Sequence, residues 1–321
     1  MSIISNSTAS AIKDAASSLM SGNLVAFPTE TVYGLGADAT NEDAVARIYS
    51  VKGRPTGHPL IVHISSIDHL GKWAKDVPEY ALKLARSFWP GPMTLILPRT
   101  YLAKDIITGG QDNVGIRVPS HFIALALLRE FEAQGGLGVA APSANRFGKV
   151  SPTSAQDVEF ELGRCLFHDD KILDGGFSNI GIESTIIDCT NSNPVVLRPG
   201  AITNYMISMV IRNESELNSL GNLNKPIKAP GLLPSHYSPN ARVLLNVTPQ
   251  VGYGMIAYRK ILTPKGVTRL ASPANNEEFA RHLYRALRTA DFMSIKNVSI
   301  FTPQGDDIAV AINDRLMRIC N

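Results

Sequence analysis

Short apolar runs of strand length alternate with stretches of helical periodicity along most of the chain. That alternation restricts it to an α/β architecture around a largely buried sheet. In the first two thirds the runs fall at residues 24–27, 60–64, 94–97, 114–118, 137–141 and 184–187, and helical spacing spans 9–19, 80–88, 121–133 and 154–162. A further helix follows Thr40, because Glu42 and Asp43 suit the positive end of a helix dipole. Gly22 closes the first helix, and the proline-rich stretch 54–59 ends the second.

After Arg198-Pro199-Gly200 the apolar density falls, and residues 213–228 are polar and rich in Asn and Ser, which reads as a linker. Its far end, residues 229–239, carries three prolines and an adjacent His236-Tyr237 pair, more specific than a spacer requires. Beyond residue 241, strand-like runs at 243–245, 254–257 and 298–301 alternate with helices at 276–290 and Ile308–Cys320, a second small α/β unit. The 321 residues agree with two domains of roughly 150 each.

Composition excludes several classes. Apolar residues make up 44% and charged residues 18%, below the roughly 25% typical of soluble chains, so a disordered protein is ruled out. A net charge of +3 does not suggest a dedicated DNA-binding protein, although the basic excess is concentrated after residue 240. Cys165, Cys189 and Cys320 are odd in number and lack CxxC spacing, which fits neither a disulfide framework nor a zinc site. Residues 1–18 lack the basic region and apolar core of a secretory signal, and no apolar stretch reaches the ~20 residues of a membrane span. The expectation is a soluble cytoplasmic protein with no membrane partner.

No phosphate-loop, nucleophile-elbow, HExxH or CxxC motif is present. Gly34-Leu35-Gly36-Ala37-Asp38-Ala39 mimics a dinucleotide fingerprint, but six residues separate it from the preceding strand, so it reads as a turn with close backbone packing. Polar clusters punctuated by Gly and Pro carry more information. Pro28-Thr29-Glu30-Thr31-Val32-Tyr33-Gly34 offers hydroxyls and a carboxylate at a strand end, and residues 52–63 gather Lys52, Arg54, His58 and His63 in a segment locked by two prolines, suiting an anion or a solvated basic loop. Arg117, flanked by Gly115, Ile116, Val118 and Pro119, is a charge in a buried strand and needs an internal carboxylate or a bound anion. Residues 140–151 include Ser143, Asn145, Lys149 and Ser151, which suit phosphates or a capped helix entry. Histidine spacing gives no metal set, and no protein-held metal is expected.

In this order, these clusters make the chain similar to the YrdC-like family. The segments after residue 200 make it resemble the longer L-threonylcarbamoyladenylate synthases. The resembling stretches are 28–36, 52–63, 91–94, 115–119, 141–145, 183–188, 197–200, His236-Tyr237 and the terminal Ala311-Ile312-Asn313-Asp314-Arg315-Leu316. The resemblance implies a YrdC-like twisted mixed sheet domain with helices over residues 1–210. It implies a linker or lid over 211–240 and a small Rossmann-like α/β domain over 241–321. It also implies a nucleotidyltransferase that condenses L-threonine, bicarbonate or CO2, and ATP with Mg2+ to L-threonylcarbamoyl-AMP and pyrophosphate. The product would pass to a tRNA threonylcarbamoyl transferase for N6-threonylcarbamoyl modification of adenosine. By the same resemblance Lys52 and Arg54 act in catalysis, Thr31, His63, Arg117 and Ser184 hold threonine, and Arg54, His58, Asn113, Ser143, Ser151, Arg198 and Tyr237 line the nucleotide.

Two other readings compete. An RNA-binding, ribosome-associated module would use the basic C-terminal part, and weak RNA binding is an expected partner interaction. However, aromatics are only 7%, and Arg281, Arg285 and Arg288 read as a solvated helix face. Carbamoyl transfer of the hydrogenase-maturation type would need accompanying regions that the chain lacks.

Overall fold

Strand pairing, more than local propensity, organises the first sheet. The computed structural model describes residues 4–211, 227, 229–231 and 237–320. Ten strands build that sheet: β1 (Ile4–Asn6), β2 (Val25–Phe27), β3 (Gly34–Asp38), β4 (Ile61–His63), β5 (Met93–Pro98), β6 (Asn113–Arg117), β7 (Val139–Ala140), β8 (Lys171–Asp174), β9 (Thr185–Asp188) and β10 (Val195–Arg198). Their order is β1-β8-β2-β3-β7-β4-β6-β5-β9-β10, with β1, β8 and β2 mutually parallel, β4 parallel to β6, β5 parallel to β9, and the other contacts antiparallel. Such a mixed sheet, covered by helices, buries both faces. One core packs Leu35, Val62, Leu95 and Ile116 with Trp73 and Leu84, and the opposite layer packs Val25, Phe27 and Val139 with Leu127 and Phe131.

Four parallel strands form a second sheet: β11 (Arg242–Leu245), β12 (Gly254–Ile256), β13 (Thr268–Ala271) and β14 (Asn297–Ile300), in the order β11-β14-β12-β13. Helices Asn276–Phe292 and Ile308–Cys320 accompany it. Their apolar stripes, including Phe279, Leu283, Leu287, Ile312 and Leu316, share a core with Val298 and Ile300. Val32, Val150, Ile182 and Tyr237 join that same core, so the second unit packs directly on the first. Among the described residues no helix is long and apolar enough to cross a membrane.

Two expectations are corrected. The glycine segment 34–38 is strand β3, not a turn. A Cβ at Gly36 would lie 2.6 Å from Val139 Cγ1 and 2.9 Å from Phe27 Cε1, so glycine lets neighbouring strands carry large side chains against it. The arginine face of helix Asn276–Phe292 is an interdomain contact, not a purely solvated surface. Arg281 Nε donates to Asn179 O at 2.7 Å, Arg285 lies 4.3 Å above the Phe177 ring, and Arg288 reaches Glu161 Oε2 at 3.3 Å and the Val150 carbonyl. Of the expected linker, residues 212–226, 228 and 232–236, His236 included, lie outside the described residues.

Candidate active site

Strand β2 delivers the chain into the turn Pro28-Thr29-Glu30-Thr31. There the Thr29 hydroxyl accepts from the amides of Thr31 and Val32, each at 3.2 Å, and donates to Val32 O at 2.6 Å. The turn therefore fixes Thr31, whose hydroxyl lies 2.8 Å from that of Thr29. Parallel pairing of β4 with β6 sets His63 opposite Arg117 at the strand ends. Arg117 Nη1 donates to Thr31 Oγ1 at 2.9 Å, Nη2 to Glu30 Oε1 at 2.5 Å, and Nε to Gly91 O at 3.3 Å. The other Glu30 oxygen accepts the Ser120 amide at 3.0 Å. The buried arginine thus has an internal carboxylate partner, as its strand context requires.

Burial, with the Arg117 charge beside it, pulls His63 down to about 3, so its imidazole is neutral at ordinary pH. Its Nδ1 is buried with no hydrogen-bond partner. Further along the wall, Ser184 Oγ lies 2.8 Å from Thr94 Oγ1, and Arg198 holds Ser184 through three contacts: Nε to O at 3.1 Å, Nη2 to O at 2.9 Å, and Nη2 to Oγ at 3.1 Å. Arg198 Nη1 donates to Pro230 O at 2.9 Å, linking the wall to the segment that precedes Tyr237. Burial lowers Arg54 to about 10, and its Nη2 donates to Pro59 O at 2.8 Å.

These side chains surround one cavity, whose space, counting the part open to solvent, is about 550 Å³. Thr31, Arg54, His63, Arg117, Ser143, Ser184, Arg198 and Tyr237 all line it, together with Thr29, Glu183, Pro230 and Gly231. Its lining combines hydroxyls and an imidazole with three arginines and an aromatic ring, a combination that suits a small polar molecule beside an anion.

Four expected residues stand outside that lining. Lys52 is buried with Nζ donating to Ser143 O at 2.5 Å and to the Asn145 carbonyl, so it braces the 143–145 loop from behind. Burial, then the neighbouring Arg54, lowers its pKa well below that of a free lysine. The His58 ring tilts against Phe147 at 5.3 Å. Asn113, at the start of β6, borders a small adjoining crevice with Gln111 and Thr94, which shares Ile61 and Pro230 with the cavity. Ser151 is buried and donates to Glu183 Oε1 at 2.6 Å.

Sequence reasoning did not find the partner set of Glu183. Its Oε2 accepts from Arg315 Nε at 2.9 Å and from the Tyr284 hydroxyl at 3.0 Å, both from the second domain. Burial alone would raise this carboxyl, but Arg315, Arg198 and Ser151 together hold it below its usual value. A signal was available: Arg315 falls on the apolar stripe of its helix, four residues from Ala311 and from Ile319, where a charge needs a partner.

Fold and cavity together define a two-domain α/β protein of the YrdC type, in which the second domain backs one wall of a polar cavity in the first through Glu183. Two family models cover nearly all of the chain: one described as "Telomere recombination" (Sua5_yciO_yrdC) matches residues 17–200, and one described as "Threonylcarbamoyl-AMP synthase, C-terminal domain" (Sua5_C) matches residues 202–319. The chain belongs to the long-form Sua5 family. The threonylcarbamoyl-AMP synthase of Pyrococcus abyssi is 39% identical over 324 residues, covering 96% of this chain and 93% of that protein. The Bacillus subtilis protein of the same name is also 39% identical, covering 96% and 92%. Among solved structures, P. abyssi Sua5 complexed with L-threonine matches with a TM-score of 0.85 and 37% identity, covering 99% of this chain and 96% of that one.

Proposed function

We propose that the chain is a threonylcarbamoyl-AMP synthase, a nucleotidyltransferase acting on L-threonine, bicarbonate or CO2, and ATP. The observation that carries this reading is the cavity that Arg117, neutral His63, Arg54, Arg198 and Tyr237 line together. The names of the full-length relatives support it, as does the threonine complex of the P. abyssi protein.

In this reading Arg117 pairs the threonine carboxylate while Glu30 holds its guanidinium in place. Neutral His63 accepts an N–H or O–H of the amino acid through Nδ1, and Thr31 and Ser184 complete the polar contacts to it. Bicarbonate or CO2 converts the threonine amine to a carbamate, whose oxygen attacks the α-phosphorus of ATP. The bond from that phosphorus to the bridging oxygen breaks, and pyrophosphate leaves. Arg54 and Arg198 face the charge developed in that transfer, and Ser143 and Tyr237 contact the nucleotide. The carboxylates at or beside the cavity, Glu30 and Glu183, are each tied to an arginine, so magnesium enters with ATP as the Mg–ATP substrate. Tyr237 and the 229–231 segment exclude water from a carbamate that readily loses CO2. The product would feed threonylcarbamoylation of tRNA adenosine.

Pyrophosphate release by the purified chain, with Mg–ATP and with or without threonine and bicarbonate, tests the reading. Release that requires both co-substrates is expected, and release absent under every condition overturns it.

A further inference from the structure

Arg315 is fully buried, yet it belongs to the second domain, and its Nε reaches the Glu183 carboxylate in the cavity wall of the first domain at 2.9 Å. Its guanidinium carbon also lies 5.7 Å from the centre of the Tyr237 ring. Glu183 directly precedes Ser184, whose carbonyl and hydroxyl Arg198 holds alongside the Pro230 carbonyl. An ionised carboxylate in this wall opposes any anionic ligand and competes for Arg198, unless its charge is cancelled from elsewhere.

We infer that Arg315 is a positioning residue for nucleotide binding, supplying from the second domain the counter-charge that neutralises Glu183 and leaves Arg198 directed at the cavity. The inference rests on the synthase reading above. A mechanical clamp between the domains makes a different prediction, because it is indifferent to whether Glu183 carries charge. Arg288, paired with Glu161 at 3.3 Å away from the cavity lining, is such a clamp and provides the control.

The experiment measures Mg–ATP binding and melting temperature for the full chain and for Arg315→Gln, Arg288→Gln and the double variant Arg315→Gln/Glu183→Gln. Arg315→Gln should weaken ATP binding by about tenfold or more. Removing the Glu183 charge as well should return it to within about threefold of wild type. Arg288→Gln should lower the melting temperature while leaving ATP affinity unchanged. A double variant as weak as Arg315→Gln, or an Arg315→Gln variant that binds ATP like wild type, overturns the inference. Should Arg315→Gln fail to fold, the double variant decides: near-wild-type affinity supports the counter-charge role, and a loss of about tenfold overturns it. Absence of ATP binding by wild type refutes the synthase reading itself.

Discussion

Arg117 and Glu30 form a buried ion pair, Nη2 to Oε1 at 2.5 Å, at the cavity wall, and the same guanidinium also holds Thr31. Breaking such a pair from one side leaves an uncompensated charge. Arg117→Ala should therefore cost about 3–5 kcal/mol in urea unfolding and abolish threonine-dependent pyrophosphate release. In Glu30→Gln the arginine keeps its charge but loses its carboxylate partner, so a threonine carboxylate becomes more valuable to it. That variant should melt lower than wild type yet show a larger threonine-induced rise in Tm; an equal or smaller rise would count against Arg117 as the carboxylate site.

His63 titrates near 3 when folded, against about 6.5 in an unfolded chain. The unfolded state therefore binds the extra proton between those values, and the stability from keeping this ring neutral is present above pH 6.5 and lost as pH falls toward 3. Wild type should lose stability on the order of a few kcal/mol more than His63→Gln between pH 7 and 4. Urea midpoints across that range check it, and parallel curves would refute the buried neutral imidazole.

Lys52 satisfies the carbonyls of Ser143 and Asn145 from behind the cavity. Lys52→Met leaves two carbonyls without that donor, at about 1–3 kcal/mol each. Because Ser143 lines the cavity, the apparent KM for ATP should rise together with the loss of stability. A destabilised variant with unchanged ATP kinetics would confine Lys52 to packing.

Gly231 has φ +78°, and a Cβ there would sit 2.2 Å from the Tyr237 hydroxyl oxygen and 2.9 Å from Arg198 Nη1. Gly231→Ala should unseat Tyr237 and raise the ATP requirement. Gly252→Ala is a matched comparison, with φ +85° and nothing within 4 Å of the added atom. Both variants carry left-handed strain of about 1–2 kcal/mol, but only the first should alter ATP kinetics.

Much of this architecture was legible where burial and periodicity coincide, as in β4, β5 and β6 and in the helices Ala9–Met20 and Phe122–Ala133. Short polar strands were not: Ile4–Asn6, Lys171–Asp174 and Thr268–Ala271 owe their form to pairing partners remote in sequence. Capping was readable only to within a residue. Asn41, not Thr40, accepts the Ala44 amide, while Asp38 takes the Thr40 hydroxyl. In the candidate site, the need of Arg117 for a partner followed from its apolar neighbours, whereas the choice of Glu30 depended on the turn after β2. Arg315 announced a buried charge on an apolar stripe, but its partner lies 132 residues away, a distance across which local pattern carries no information.

Glu183 and Arg315 belong to a single polypeptide, so their meeting is a unimolecular event governed by an effective concentration, in the millimolar range for short flexible tethers. Dilution cannot dissociate the two halves of this wall. A separate subunit donating the same arginine would make occupancy depend on protein abundance. Here the fraction of molecules in which Arg315 backs Glu183 is set by the docking equilibrium within each molecule, and does not depend on the protein concentration.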